Sequence, residues 1–395
     1  MRFQLRRLVR AGDECEAGDG FFPAAASRPH SRFFFWNCPL QESARAQKKR
    51  CGVAWGRLGP RYRLRSDRSD AGTRGRYPFV EFPPGEKWVR GETDKAARAA
   101  IDASDSTLFG STSGKTTVVG YLRWGRKTYA NVRPCRYVKG FRSPLANPEG
   151  IDFVIVRENL EDLYLGLEGP LEALAPLHLS SRILRAELNT TERGKYAIKV
   201  ITERNTSQIA HFAFRLARER KAQGRPGKLT CTSKYNMLQQ SDGLFRQLVA
   251  EIAGEYPDIK YEEFIVDDFA RRLVQNSHAL DVVVMPNLYG DILSDAAAGT
   301  IGGLGLAPSG CYGDDYAYFE SVHGTAPDIM GLGIINPTAT MLSAAMMLDY
   351  LGLSAASKRF EDAIRKVYAQ GNVLTPDQGG TAKTHELTRA VIANL

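Results

Sequence analysis

Asp281-Val-Val-Val-Met-Pro-Asn-Leu-Tyr-Gly-Asp-Ile-Leu-Ser-Asp295 joins two signals in one stretch. Asp281–Met285 is a short apolar run rich in β-branched residues, which suits a strand buried on both faces. After the Asn-Leu-Tyr-Gly turn a helix is expected from about Gly290. It carries Asp291 and Asp295 at positions i and i+4, so both carboxylates share one face. Like charges so placed repel unless a cation lies between them. Hard oxygen ligands without Cys or His favour Mg²⁺ or Mn²⁺. On its own such a pair is more often two solvated acids. Here the buried strand delivers the helix to the sheet end where α/β proteins bind ligands.

The pattern extends outward from this unit. Ser106–Gly110 and Ile151–Val156 read as strands, Lys195–Ile201 as a third, and Leu229–Ser233 as a further short one. Thr93–Ala103 and Thr206–Gln223 read as helices, and Arg220–Lys228 as a surface turn. Strands alternating with helices predict a layered α/β sheet.

Composition narrows the classes. The 395 residues are 43% hydrophobic and 25% charged, ordinary for a globular protein. No run approaches the ~20 apolar residues of a membrane span, so no membrane partner is expected. Six scattered cysteines without a CxxC pair suit reduced thiols. The net charge of +9 is concentrated at one end. Residues 1–80 hold 17 Lys/Arg against 7 Asp/Glu, and the rest 36 against 37. That end has little strand or helix periodicity and reads as an atypical basic segment, disordered or aberrant. Early acids (Asp13, Glu14, Glu16, Asp19) argue against a transit peptide, so a cytoplasmic location is expected, with mitochondrial import the second reading. No nucleic-acid module is recognisable, so a nucleic-acid partner is not expected.

Two glycine-rich stretches are decoys. Gly110-Ser-Thr-Ser-Gly114-Lys115-Thr116 has three residues between its glycines, and a phosphate-cradling P-loop needs four. Gly302-Gly-Leu-Gly305 lacks the GxGxxG spacing of a dinucleotide fingerprint. Arg123, Arg133 and Arg157 each sit near the edge of a regular element, Arg157 directly ending its strand. Guanidinium forks bind carboxylates bidentately, so three of them would suit a di- or tricarboxylate if they converge. Lys234 follows another strand end and could serve as a base or proton relay. Tyr164 could serve as an acid.

These residues fall in segments that together resemble one family. They are Tyr129-Ala-Asn-Val-Arg-Pro134, Val156-Arg-Glu-Asn-Leu-Glu-Asp-Leu-Tyr164, Met285–Asp295, Gly302–Gly310, and Glu320-Ser-Val-His-Gly-Thr-Ala-Pro-Asp-Ile329 with Asn336-Pro337. From about residue 84 onward the chain resembles the isocitrate/3-isopropylmalate dehydrogenases, β-decarboxylating enzymes, and is most similar to the NAD-dependent isocitrate branch. The resemblance implies a two-lobed α/β fold with a mixed sheet flanked by helices, not a Rossmann fold. Residues 81–123 with 303–395 would form a cofactor lobe, and 124–302 a substrate, metal and dimerisation lobe. It implies that Arg123, Arg133 and Arg157 hold substrate carboxylates, with Thr117 contributing a hydroxyl. Tyr164 would protonate the enol after CO₂ leaves, and Lys234 would help deprotonate the 2-hydroxyl. Asp291 and Asp295 would bind Mg²⁺ or Mn²⁺ with Asp267 of a facing subunit, Asp268 being the neighbouring alternative. The shared site implies a homodimer. NAD would lie near Asn236, Glu320, His323, Gly324, Thr325, Ala326, Asp328, Ile329 and Asn336. An acid at Asp328 suits ribose hydroxyls and repels a 2′-phosphate.

The chain departs from the family at its start. The family opens with a strand and a Gly-Asp-Gly-Ile-Gly-Pro-Glu loop beside the nicotinamide, and the nearest match here is Gly18-Asp-Gly-Phe-Phe-Pro23. Thr116-Thr-Val-Val-Gly-Tyr-Leu122 mixes a hydroxyl suited to a third carboxylate with apolar Val119. Isocitrate is therefore the first substrate expected, followed by isopropylmalate, homoisocitrate and tartrate or malate. A non-catalytic regulatory or degenerate paralogue is the competing class.

Overall fold

Val282–Met285 has no polar side chain to offer water, so its strand requires cover on both faces. The computed structural model describes residues 33–36, 79–82, 92–111 and 118–395. Among these residues a ten-stranded sheet forms the spine. In chain order its strands are β1 (Phe33–Trp36), β2 (Phe79–Phe82), β3 (Ser106–Phe109), β4 (Ala130–Arg136), β5 (Asp152–Glu158), β6 (Lys228–Ser233), β7 (Lys260–Ile265), β8 (Val282–Met285), β9 (Pro308–Tyr312) and β10 (Ala317–Ser321). Their spatial order is β7-β6-β8-β5-β4-β9-β10-β3-β1-β2. Both flanks are parallel, and the centre, β5-β4-β9-β10, is antiparallel.

The helices are α1 (Glu92–Asp102), α2 (Glu203–Ala222), α3 (Ser241–Ala253), α4 (Val266–Gln275), α5 (Asn287–Ile301), α6 (Thr338–Tyr350), α7 (Ser354–Gln370) and α8 (Thr384–Ala393). The period of two along β8 explains how they cover it. Val282 and Val284 face one core with Ile209 and Phe214 of α2 and Phe245 of α3. Val283 and Met285 face the opposite core with Phe269 of α4 and Leu293 and Ala297 of α5. β5 alternates the same way, with Val154 and Val156 on one side and Phe153 and Ile155 on the other. In the other half of the sheet, Leu108 and Phe319 pack under α6, α7 and α8, while Phe109 and Tyr318 pack with Ala97 and Ile101 of α1. The mixed α/β sheet flanked by helices matches the expected class.

Several elements differ from the sequence expectation. The helix of the aspartate pair starts at Asn287, not near Gly290, because the fixed φ of Pro286 sets the turn into it. β5 continues to Glu158, so Arg157 lies inside the strand and does not end it. Lys195–Ile201 is not a sheet strand. Only Lys195–Ala197 is extended, in a two-stranded ribbon with Glu168–Pro170. Its flanking Lys195 and Ala197 are exposed, a pattern suited to a ribbon with one face in water. β1 and β2 come from a segment expected to lack regular structure. The aromatic run Phe33-Phe-Phe-Trp36 has strong strand propensity. Gly18–Pro23, Thr117 and most of Gly110–Thr116 lie outside the described residues. Gly302 and Gly303 have φ of 127° and 117° and turn the chain out of α5, a structural use for that glycine-rich stretch.

Cys135, Cys231 and Cys311 are free and buried, and burial pushes each thiol up to about 12. They are core residues, not nucleophiles. No helix among the described residues is long and apolar enough to cross a membrane.

Phe214 is fully buried and stacks on Tyr256 with ring centroids 4.8 Å apart. Phe214→Ala should lower the unfolding free energy by about 3–5 kcal/mol, measured by urea titration. A near-neutral result would mean that α2 does not depend on this contact to cover the sheet.

Candidate active site

Arg157 decides the local architecture. It projects from the penultimate position of β5 and is only 1% exposed. A buried guanidinium is tolerated only when charge and hydrogen bonds compensate it. Its Nε donates to Asn287 Oδ1 at 2.8 Å, one terminal nitrogen pairs with Asp291, and its Cζ lies 4.8 Å from the centroid of the Tyr164 ring. The other terminal nitrogen is buried without an acceptor among the described residues. That unspent donor suits a ligand carboxylate. Gly290 makes the packing possible, since a Cβ there would lie 2.4 Å from Arg157 Cγ.

Arg133, from β4, reaches the same helix. Its terminal nitrogen donates to Ser294 Oγ at 2.6 Å and lies 3.3 Å from Asp291 and 3.4 Å from Asp295. Its Nε donates to Asn131 Oδ1 at 3.3 Å, and Ser309 Oγ donates to the same oxygen at 2.9 Å. Tyr164 stands on the short 3₁₀ turn Asp162–Leu165 and donates to Asp291. Arg123 sits in a π-helical turn, Tyr121–Gly125. Burial opposes its charge, but Tyr318, Cys311 and Glu320 outweigh this and raise its pKa.

The electrostatics separate the two aspartates. Burial alone would raise the Asp291 carboxyl, but Arg157, the Tyr164 hydroxyl, Arg133 and Arg123 together hold it below the usual range. Asp295 is raised, by burial and by the Asp291 charge, despite Arg133. Arg157 falls to about 10 through burial and the neighbouring Arg133, with Asp291 pulling the other way. Burial raises Glu320, and the three arginines counter it. Burial and the bond to Asp291 raise the Tyr164 phenol, keeping it protonated.

An all-oxygen pair on one helix face, with one member destabilised as an anion by the other, fits a hard divalent cation. No group of three or more His, Cys, Asp or Glu that could hold a metal forms among the described residues. Asp267 lies on α4, where it accepts from Lys234 Nζ at 2.6 Å, and this bond is the main reason its carboxyl is lowered. Asp268 is bound instead by Arg271 and Arg272 on its own helix, at 2.6 and 2.7 Å. The side chains singled out thus form two groups in one chain. Arg123, Arg133, Arg157, Tyr164, Asp291 and Asp295 make one, and Lys234 with Asp267 the other.

The expected cofactor residues vary in setting. Asn236 is exposed in the turn after Lys234. His323 accepts a bond from Ser111 Oγ at its carbonyl, and burial lowers its imidazole against the Gly324 carbonyl and Asp377. Ala326 takes a left-handed φ of 45°, Gly324 and Asp328 are exposed, and Thr325 and Ile329 are half-buried. Asn336 has its amide spent internally. It donates to the Tyr368 hydroxyl at 3.1 Å and to Asp377 at 2.9 Å, and accepts from Thr338 N–H at 3.0 Å. Its side chain braces the loop.

Sequence reasoning missed Asn287, Gly290 and Ser294, which seat the arginines on α5. All three stand in the quoted opening stretch, but only the fold shows what they face. It also missed Asp162 and Asp242, two buried acids paired with Lys199.

Comparison with known proteins adds an independent line. Residues 85–391 match the family model described as isocitrate/isopropylmalate dehydrogenase. The chain is 44% identical over 300 residues to a Methanocaldococcus jannaschii 3-isopropylmalate/3-methylmalate dehydrogenase, covering 75% of this chain and 83% of that one. It is 39% identical over 317 residues to a probable mitochondrial NAD isocitrate dehydrogenase alpha subunit of Drosophila melanogaster, covering 78% and 77%. A solved Thermus thermophilus protein superimposes with a TM-score of 0.68 at 37% identity, covering 81% of this chain and 62% of that one.

Two outcomes follow from this geometry. Gly290→Ala should displace Arg157 and cost about 1–3 kcal/mol by overpacking, read by urea titration. Unchanged stability would show that α5 can shift without cost. Glu158, fully buried beside Arg157, is raised by desolvation to about 7 despite bonds from Leu160 and Glu161 N–H. Its folded pKa exceeds its unfolded 4.5, so its favourable contribution is complete below that value and declines as pH rises toward about 7. Glu158→Gln should flatten the stability loss over that window, and an unaltered profile would exclude Glu158 as its source.

Proposed function

The chain belongs to the isocitrate/isopropylmalate dehydrogenase family, and we propose that it oxidises and decarboxylates a 2-hydroxy acid with NAD⁺ and a divalent cation, isocitrate first. The observation that carries this reading is the buried Arg157 with one unspent terminal nitrogen, set beside Arg133 and the aspartate pair. Three converging guanidinium groups suit a polycarboxylate. 3-Isopropylmalate is the runner-up, favoured by the relative at 44% identity. Homoisocitrate and tartrate or malate follow.

Each side chain has a task in this reading. Arg123, Arg133 and Arg157 fix the carboxylates and so aim the reacting carbons. Lys234 takes the proton from the 2-hydroxyl. Tyr164, kept protonated by its surroundings, returns one to the carbon that loses CO₂. Mg²⁺ or Mn²⁺ at Asp291 and Asp295, completed by Asp267 of a second copy, would supply Lewis acidity at the 2-hydroxyl and the adjoining carbonyl. NAD⁺ would supply the hydride acceptor, held by Asn236, Glu320 and the loop from His323 to Asn336. Asp328, exposed and acidic, supports NAD over NADP. Asp267 is preferred over Asp268 because Arg271 and Arg272 already bind the latter.

The lobe division, 81–123 with 303–395 against 124–302, is supported by hydrophobic cores drawn mainly from one region each, with Phe141 crossing into the core of 303–395. Exposed apolar side chains support a homodimer. Ile292, beside Asp291, is 59% exposed, and Ile183 and Leu184 are 74% and 78% exposed. Such residues favour burial against a second copy. A cytoplasmic location is the first reading and the mitochondrion the second. A non-catalytic ligand-binding subunit is the competing function, favoured by residues 1–84 falling outside the family match.

NADH formation should appear with isocitrate, 3-isopropylmalate, homoisocitrate, tartrate or malate when Mg²⁺ is present and vanish with EDTA. Asp291→Asn should abolish it while leaving the circular dichroism spectrum intact. Absence of turnover with every acid would favour the non-catalytic subunit. Turnover unaffected by EDTA would remove the metal assignment.

A further inference from the structure

Asp162 and Asp242 are fully buried and belong to neither half of the proposed site. Asp162 opens the turn that presents Tyr164, at a left-handed φ of 69°, a conformation costly for a residue with a Cβ. One of its oxygens accepts from Leu163 N–H at 2.8 Å and the other from Leu288 N–H at 3.0 Å. It thereby ties the Tyr164 turn to the first turn of α5. Asp242, in the first turn of α3, accepts from the backbone N–H of Lys234 at 2.7 Å. Each buried carboxylate therefore fixes one proton-handling residue.

Lys199 joins them. From the connecting segment before α2 it places Nζ 2.6 Å from Asp242 and 3.5 Å from Asp162, with its side chain 13% exposed. The contact with Asp242 acts as an ion pair. The ammonium also lies 4.4 Å from the Tyr289 ring centroid, on α5. No other ion pair to either carboxylate forms among the described residues. Removing this cation would leave two buried carboxylates without an ion-pair partner among the described residues.

We propose that Lys199 is a positioning residue that clamps Asp162 to Asp242. It holds the Tyr164 turn, the start of α5 and the end of β6 in one fixed relation. In a dimer where Asp267 serves the facing subunit, its partner Lys234 travels with it. The clamp then joins half-sites that serve two different active sites. Lys199 touches no reacting atom.

The proposal rests on the dehydrogenase reading for its kinetic arm only. Lys199→Met should lower kcat by about 100-fold through misplacement of Tyr164 and Lys234, while KM for the acid changes little because the three arginines are untouched. Lys199→Arg should restore most of kcat. Hydrogen exchange gives an arm that needs no turnover: the amides of Leu163, Lys234 and Leu288 should lose protection together in Lys199→Met, while β8 stays protected. If Lys199→Met does not fold, the neutral pair Lys199→Met/Asp242→Asn carries the same exchange measurement. Wild-type protection at those amides, or an unchanged kcat, overturns the clamp. An inactive wild type would sink the dehydrogenase reading, and exchange would still decide the clamp.

Discussion

The pairing of Arg157 with Asp291 is the contact around which the candidate site is arranged. A guanidinium at 1% exposure needs a carboxylate and several acceptors nearby, and α5 supplies both through Asp291 and Asn287. That requirement brings α5 against β5 and forbids a Cβ at Gly290. It also leaves one donor without a partner among the described residues. A protein selected for stability alone would do as well with a packed hydrophobic side chain there. Retaining the charge makes sense if a ligand completes its bonding.

The sheet makes this arrangement rigid. Arg133 and Arg157 rise from β4 and β5, central strands paired with each other in antiparallel register, and their neighbours are buried on both faces. Groups mounted on such strands move less than groups on loops. Tyr164 and Lys234 stand at the start of connecting segments, where backbone alone would not hold them. Each has a buried aspartate fastened to its local backbone, and a single lysine joins those aspartates.

The sequence was most legible where one physical rule acted alone. The apolar run Val282–Met285 foretold a doubly covered strand, and the i, i+4 spacing foretold that Asp291 and Asp295 share a face. The periodicity of α2 gave its bounds closely, Glu203–Ala222 against an expected Thr206–Gln223. Legibility fell where tertiary context decides. Lys195–Ile201 has strand-forming residues but no sheet position to occupy, so only its start pairs, in a side ribbon. Arg157 looked like the residue after a strand because charge normally marks an edge, and here its charge is compensated inside one. Aromatic residues 33–36 pair with β3 and β2 although their surroundings in sequence carry no periodic signal.

The convergence of charges was the least legible feature, since no spacing rule links residues 123, 133, 157, 291 and 320. Resemblance to a family suggested roles for them, and the fold shows which of these charges stand together. Two aspartates and Glu320 face three arginines, so the local formal charges cancel when all are ionised. A dication added to that set calls for an anion to restore the balance, and in the proposed reading a polycarboxylate held by the same arginines would be that anion. The near-neutral ground state thus explains why residues suited to bind a cation also suit a carboxylate substrate: neither charge is comfortable there without the other.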